Sequence, residues 1–140
     1  MKIATESLEY ATQGFCDIID LTEDVGQVLR RSKLKEGSAL IFVSGSTAAL
    51  TTVEYEPALL DDVKKFFEKI LPRSATYAHD ATWGDANGFS HLRAMLLKPS
   101  LTVPFVNGEM TLGRWQQIVL IDFDNNRRQR RVVVQLQGEA

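Results

Sequence analysis

Only two histidines occur in the chain, and they bracket one segment, His79-Asp80-Ala81-Thr82-Trp83-Gly84-Asp85-Ala86-Asn87-Gly88-Phe89-Ser90-His91. Two imidazoles with carboxylates at Asp80 and Asp85 are the donor types that bind Zn2+ and related divalent ions. The rings are too far apart in sequence to meet as i, i+4 neighbours on a helix. They meet only if the segment folds back, with Gly84 and Gly88 taking the tight turns. A metal would then rest on His79, His91 and Asp85, with an open position where a bound water loses its proton near neutral pH. Asp85 and His91 are the acid–base candidates, and a carboxylate can also act by orienting an imidazole. The same residues have a plainer reading. Asp85 and Asn87 brace loops and cap helices, and a histidine at the end of an element hydrogen-bonds a carbonyl.

Ser44-Gly45-Ser46-Thr47 interrupts an apolar run with small residues. Their N–H groups and hydroxyls can form an anion-binding nest, with Ser46 and Thr47 touching a phosphate, or simply a bulge. Glu54 and Glu56 follow, and Glu54 is a further acid–base candidate. The segment Arg127-Arg128-Gln129-Arg130-Arg131 is basic, but a strand sends alternate arginines to opposite faces. No aromatic lies among them to stack on bases. It reads as a strand edge protected from unwanted pairing, with Arg128 or Arg130 left to meet a phosphate or a subunit boundary. The single cysteine, Cys16, lies in an apolar β-like run, where a thiol packs as a small hydrophobe. Gly-x-Gly-x-x-Gly and Walker-type phosphate loops are absent.

The elements that must position these residues follow from periodicity. Residues 1–11 and 15–20 predict a first hairpin around Thr12-Gln13-Gly14. Thr22 caps a helix over 23–32, with Val25, Val28 and Leu29 on one face and its charges arranged to suit the helix dipole. The continuous apolar run 39–43 predicts a strand covered on both sides, and 48–54 predicts another. After Pro57, Leu59, Leu60, Val63, Phe66, Phe67, Ile70 and Leu71 recur at helical spacing up to Pro72, the cleanest amphipathic helix in the chain. Residues 75–79 read as a short strand, and 89–97 as a helix with Leu92, Met95 and Leu96 apolar. Strands at 101–106, 109–112, 115–123 and 130–136 complete the chain, the first two joined by Asn107-Gly108, a strong hairpin signal. Helices interrupt the early strands and hairpins fill the last third, an α+β pattern.

With 44% hydrophobic and 24% charged residues among 140, the composition is that of one folded domain spanning 1–140. A net charge of -2 supplies no field for nucleic acid or anionic lipid. No apolar run approaches the roughly 18 residues of a membrane span, and Glu6 interrupts the start too early for a signal peptide. A lone cysteine fits a reducing compartment, so the cytoplasm is the expected location.

The residues also carry a resemblance. The stretch Ser100-Leu101-Thr102-Val103-Pro104 through Leu112-Gly113-Arg114-Trp115-Gln116 resembles the Ser-x-x-x-Pro, Gly, Leu-Gly-x-Trp-Gln signature of the YjbQ family. The likeness extends through Tyr77-Ala78-His79, Asp85-Ala86-Asn87-Gly88-Phe89-Ser90-His91-Leu92, Ser46-Thr47-Ala48-Ala49 with Glu54, and Asp122-Phe123-Asp124. It implies an α+β fold of two or three helices on a mixed or antiparallel sheet curled toward a barrel, and assembly as a homotrimer. It also implies a histidine cluster holding a divalent metal such as Zn or Mg, and a weak thiamine-phosphate synthase-like activity joining a thiazole phosphate to a pyrimidine diphosphate. Phosphate contacts would then fall to Ser46, Thr47, Asn87 and Arg114. Family members often carry a histidine at the position of Gly45, and a small residue at that of Arg114. Two functions stay open: a phosphate-handling enzyme centred on His79 and His91, or a non-catalytic trimer binding a small anion or metabolite.

Overall fold

The computed structural model describes residues 1–140. Eight strands form two antiparallel sheets. In the larger, β1 (Lys2–Thr12) pairs with β8 (Arg128–Glu139) along its whole length, from Lys2 opposite Gly138 to Thr12 opposite Arg128. The free side of β8 takes β3 (Glu36–Val43), then β5 (Ser100–Val106) and the short β6 (Glu109–Met110). In the smaller sheet β7 (Gln117–Asp122) lies between β2 (Asp17–Asp20) and β4 (Ala48–Val53). Together they curl into a half-barrel, the α+β architecture expected.

Two cores share β7. Ile118 and Leu120 face the larger one, where α1 (Thr22–Ser32) brings Val25, Val28 and Leu29 against Ile41, Val43, Val132, Val134 and Leu136. Val119 and Ile121 face the other way, toward α2 (Pro57–Ile70) and α4 (Gly88–Leu97), which contribute Phe67 and Ala94. A strand buried on both faces must be apolar without alternation. That role, expected for 39–43, belongs to β7. In β3, Leu40 and Phe42 lie on the open side.

The first expected hairpin does not form, because β1 and β2 belong to different sheets. Gly14, Phe15 and Cys16 all take left-handed φ values, 77°, 56° and 66°, which turn the chain out of one sheet into the other. A Cβ on Gly14 would stand 2.6 Å from the Asp124 carbonyl oxygen, so only glycine fits there. The Phe15 and Cys16 N–H groups donate to the Asp124 and Asp122 carbonyls at 2.7 and 2.9 Å. The chain changes sheets in the same region at 44–47 and again at 123–127. These corners interlock: the Ser44 N–H donates to the Arg131 carbonyl, and the Phe123 N–H to that of Thr47.

Other expectations divide. Asn107 and Gly108 make the predicted hairpin turn, with φ of 54° and 79°. Helices α1 and α2 start where expected, but Thr22 does not cap α1; its Oγ1 accepts from the Ile118 N–H instead. The residues 75–79 form turns rather than a strand, leading into the one-turn α3 (Asp80–Trp83). The cause is local: the Asp80 carboxylate takes the Tyr77 N–H, a side-chain bond that competes with a strand ladder. In α4 the inward face is the reverse of the expected one. Phe89, Ser90, Arg93 and Ala94 are buried, while Met95 is 64% exposed beside outward-facing Leu92 and Leu96. Arg93 wins its buried place by donating to the Leu71 carbonyl and Glu68, with its guanidinium 5.0 Å from the Phe89 ring centre. No helix is long and apolar enough to cross a membrane.

Candidate functional site

The two imidazoles converge. His79 stands at the entrance of α3 and His91 at the end of the first turn of α4, with ring centroids 4.5 Å apart and planes at 50°. Asp80 draws the loop shut, its two carboxylate oxygens accepting from the N–H groups of Tyr77 at 3.3 Å and Gly88 at 3.0 Å. A Cβ on residue 88 would lie 2.7 Å from the Tyr77 Cβ, so the closure requires glycine on steric grounds. Gly84 supplies the left-handed turn, at φ 72°. Ser90 Oγ donates to the Asn87 carbonyl at 2.5 Å and fixes the start of α4. Two buried side-chain atoms in this loop have no hydrogen-bond partner, His79 Nδ1 and Asn87 Oδ1. Such orphans are rare in folded proteins and mark strain or a chemical role.

The donor set falls short of a metal site. No third histidine, cysteine, aspartate or glutamate joins the imidazole pair. Asp85, the third expected ligand, has an exposed side chain and contributes only its carbonyl, which accepts from Asn125 Nδ2 at 2.7 Å. Asp80 is spent on backbone N–H groups. Catalytic zinc takes three protein ligands and structural zinc four. The residues of one chain do not fit a resident Zn.

What the loop does abut is a buried polar cluster built by the sheet-changing corners. Asp122 is fully buried and holds Arg130 in a two-pronged ion pair, Nε at 2.7 Å and Nη2 at 2.9 Å. Thr12 Oγ1 donates to the same carboxylate at 2.5 Å. Arg130 Nη2 also donates to Thr47 Oγ1 at 2.6 Å, and the Thr47 hydroxyl donates in turn to Asp124 at 3.0 Å. Asp124 accepts from Arg128 Nε at 2.9 Å and from the Asn125 N–H at 2.7 Å. Burial pushes its carboxyl upward, but the bonds from Arg128, Thr47 and Asn125 outweigh burial and hold it below the usual aspartate range. Asn87 Nδ2, 3.5 Å from Asp124, ties the histidine loop to this cluster. His91 lines a cavity of about 260 Å³ with Gly45, Ser46, Ala48 and Met95.

The expected site residues therefore separate into two groups. His79, His91, Asn87, Ser46 and Thr47 gather at one end of the smaller sheet. Glu54 and Arg114 stand at the other. Glu54 follows Val53, which faces Gln117, whereas Ala48 at the strand's start faces Asp122. At about 3.4 Å per residue that is roughly 17 Å. Arg114 is exposed, its guanidinium 4.9 Å from the Trp115 ring centre. Within one chain neither reaches the histidines.

Sequence reasoning missed the Asp122–Asp124–Arg130 cluster as a unit. A signal was available: Arg130 has the same strand parity as Val132, Val134 and Leu136, all buried. An arginine that continues an apolar stripe inward must find a carboxylate there.

A half-barrel of two antiparallel sheets, with a histidine pair against buried sheet corners, defines a class of small α+β domains. The chain belongs to the YjbQ-like UPF0047 family, whose model matches residues 6–139. A UPF0047 protein of Methanothermobacter thermautotrophicus is 39% identical over 139 residues, covering 99% of this chain and 95% of its own. Among solved structures, a YbjQ-like protein of unknown function from Sulfolobus solfataricus superposes with a TM-score of 0.92 at 30% identity, covering 99% of both chains. An uncharacterised yjbq/upf0047 protein from Clostridium acetobutylicum gives 0.86 at 27% identity, over 94% of this chain and 99% of its own.

Proposed function

We propose that the pocket binds a small anionic ligand carrying a phosphate group, and that the histidine pair moves protons on it. The observation that carries this is the meeting of His79 and His91 at 4.5 Å, with His91 on the wall of the cavity that also contains Ser46. Two imidazoles so close repel when both are charged, and an anion between them and the Ser44–Thr47 turn relieves that repulsion. His91 faces the ligand and gives or takes the proton. His79, with its Nδ1 unpartnered, stands behind it as the second proton site. Ser46 contributes a hydroxyl and its turn contributes N–H groups.

A thiamine-phosphate synthase-like transfer is one reaction such a site would serve, since both substrates carry phosphate. A non-catalytic homotrimer binding a metabolite anion would use the same pocket without turnover. The apolar side chains left open on α2 and α4, Phe66, Met95 and Leu96 among them, support self-association. Titration with inorganic phosphate, followed through the two histidine C2–H proton resonances, tests the reading. Both resonances should move, and His91→Ala should weaken binding at least tenfold while melting stays cooperative. Resonances that ignore phosphate would remove the reading. Product formation from the thiazole phosphate and pyrimidine diphosphate, lost in His91→Ala, separates enzyme from binding module.

A further inference from the structure

Arg130 carries more hydrogen-bonding capacity than its fold role uses. A guanidinium has five N–H groups in a fixed fork. Nε donates to Asp122, and Nη2 donates to both Asp122 and Thr47, which consumes three. Nη1 makes no hydrogen bond within the chain, so its two N–H groups remain. The side chain is only 8% exposed, yet Nη1 is not one of the fully enclosed unpartnered atoms, so it can be reached from outside. Its direction is fixed by a neighbour. A Cβ on residue 45 would lie 2.7 Å from Nη1, and Gly45 lines the cavity shared with His91 and Ser46.

We infer that Arg130 is the specificity-determining anchor of the pocket, presenting Nη1 across Gly45 to an oxyanion. The inference rests on the phosphate-pocket reading above and adds the group that selects the ligand class. Two N–H groups on one cationic nitrogen demand acceptors, which suits a phosphate monoester or free phosphate and excludes amines and cations. The two buried carboxylates, Asp122 and Asp124, are balanced by Arg130 and Arg128. The cluster thus offers directed donors rather than a large net charge. Selectivity for oxyanion geometry follows, with modest affinity. Gly45 is the opening. Any side chain there stands between guanidinium and cavity, while Nε and Nη2 are engaged by Asp122 and Thr47.

Gly45→Ala is the decisive variant: the backbone at residue 45 lies outside the left-handed region and accepts alanine, while the new Cβ, 2.7 Å from Nη1, must push the guanidinium tip away from the cavity. No group of the polar cluster is removed. Inorganic phosphate is titrated into the full chain by calorimetry, and the Arg130 Nε–H resonance is followed in a 15N-correlated spectrum. In the unmodified protein this resonance should shift as phosphate binds. Gly45→Ala should bind at least tenfold more weakly, with its melting still cooperative and the Arg130 resonance unmoved by phosphate. Arg130→Lys, which keeps the charge but not the fork, should lose at least as much affinity. The inference is overturned if Gly45→Ala binds phosphate as the unmodified protein does while His91→Ala does not; the histidine pocket then stands without this anchor. If the unmodified protein binds neither inorganic phosphate nor a simple phosphate monoester, pocket and anchor fall together.

Discussion

The two ends of the three-stranded sheet contain similar residue types and treat them in opposite ways. At one end, β4 begins and β7 finishes among three sheet-changing corners, and Asp122, Asp124, Arg130 and Thr47 are all buried and bonded to one another. At the other, β4 finishes and β7 begins beside open loops, and Glu54, Arg114 and Trp115 face solvent. The difference is one of topology rather than composition. Where the chain leaves one sheet for another, its side chains from several strands are driven into the same small volume. Polar groups placed there lose water and must find each other. Where a strand ends in a loop, a charge keeps its hydration and couples weakly.

The strongest test of that contrast is to cut the buried pair. Asp122→Ala leaves the buried Arg130 guanidinium with only the Asp124 carboxylate, 3.8 Å from Nη2, to face it. Breaking a buried ion pair on one side costs about 3–5 kcal/mol. Urea unfolding should show a loss of that size, with Asp122→Asn losing less because it keeps acceptor and shape. A loss below about 1 kcal/mol would show the cluster to be well hydrated, and the two ends to be alike.

Cys16 probes the same end without touching a charge. It lies just after the Gly14 corner, and burial pushes its thiol up to about 11, against partial opposition from Arg93 and Lys64. Only the thiolate attacks a disulfide reagent. At pH 8 the folded protein should react roughly a hundredfold more slowly than the urea-unfolded chain, given the drop in thiolate fraction. Reaction at the unfolded rate would mean that this corner opens readily.

Acid titration gives a smaller, signed effect. Because the folded Asp124 carboxyl lies below its unfolded value, it adds stability above the ordinary aspartate range, near pH 4. That contribution disappears as pH falls through the lower folded value. Arg128→Ala removes one of the bonds holding it down, so acid unfolding should begin at higher pH. An unchanged midpoint would assign the depression to Thr47 and the Asn125 N–H alone.

Much of this architecture was readable from pattern, and the failures share a cause. Helices α1 and α2 and the Asn107-Gly108 hairpin are local events, set by caps, periodicity and turn residues, and they stand where the sequence put them. The partners of β1 and β2 are not local. Nothing in 1–20 states that the chain crosses between sheets, because the three left-handed residues at 14–16 include Phe and Cys, which carry no turn signal. The buried face of α4 departs from its apolar pattern for a related reason. A buried arginine defeats any reading that places apolar side chains inward, and only the Leu71 carbonyl and Glu68, brought there by α2, explain it. The histidine pair was legible because a closing loop with Gly88 is again local.

The smallest expected effect bears most directly on the far end. Glu54→Ala and Arg114→Ala should each change stability by no more than about 0.5 kcal/mol, as exposed substitutions do. Phosphate affinity should stay within twofold, since neither side chain reaches the cavity from its own chain. Each half of this outcome means something different. A stability change of several kcal/mol would contradict the exposure of these residues. Unchanged stability with weakened phosphate binding would instead require the far end of one copy to meet the histidine pocket of another. That is the one arrangement in which Glu54 and Arg114 serve the site while standing a sheet's length away from it. Sedimentation of the same variants would then show the self-association on which such a shared site depends.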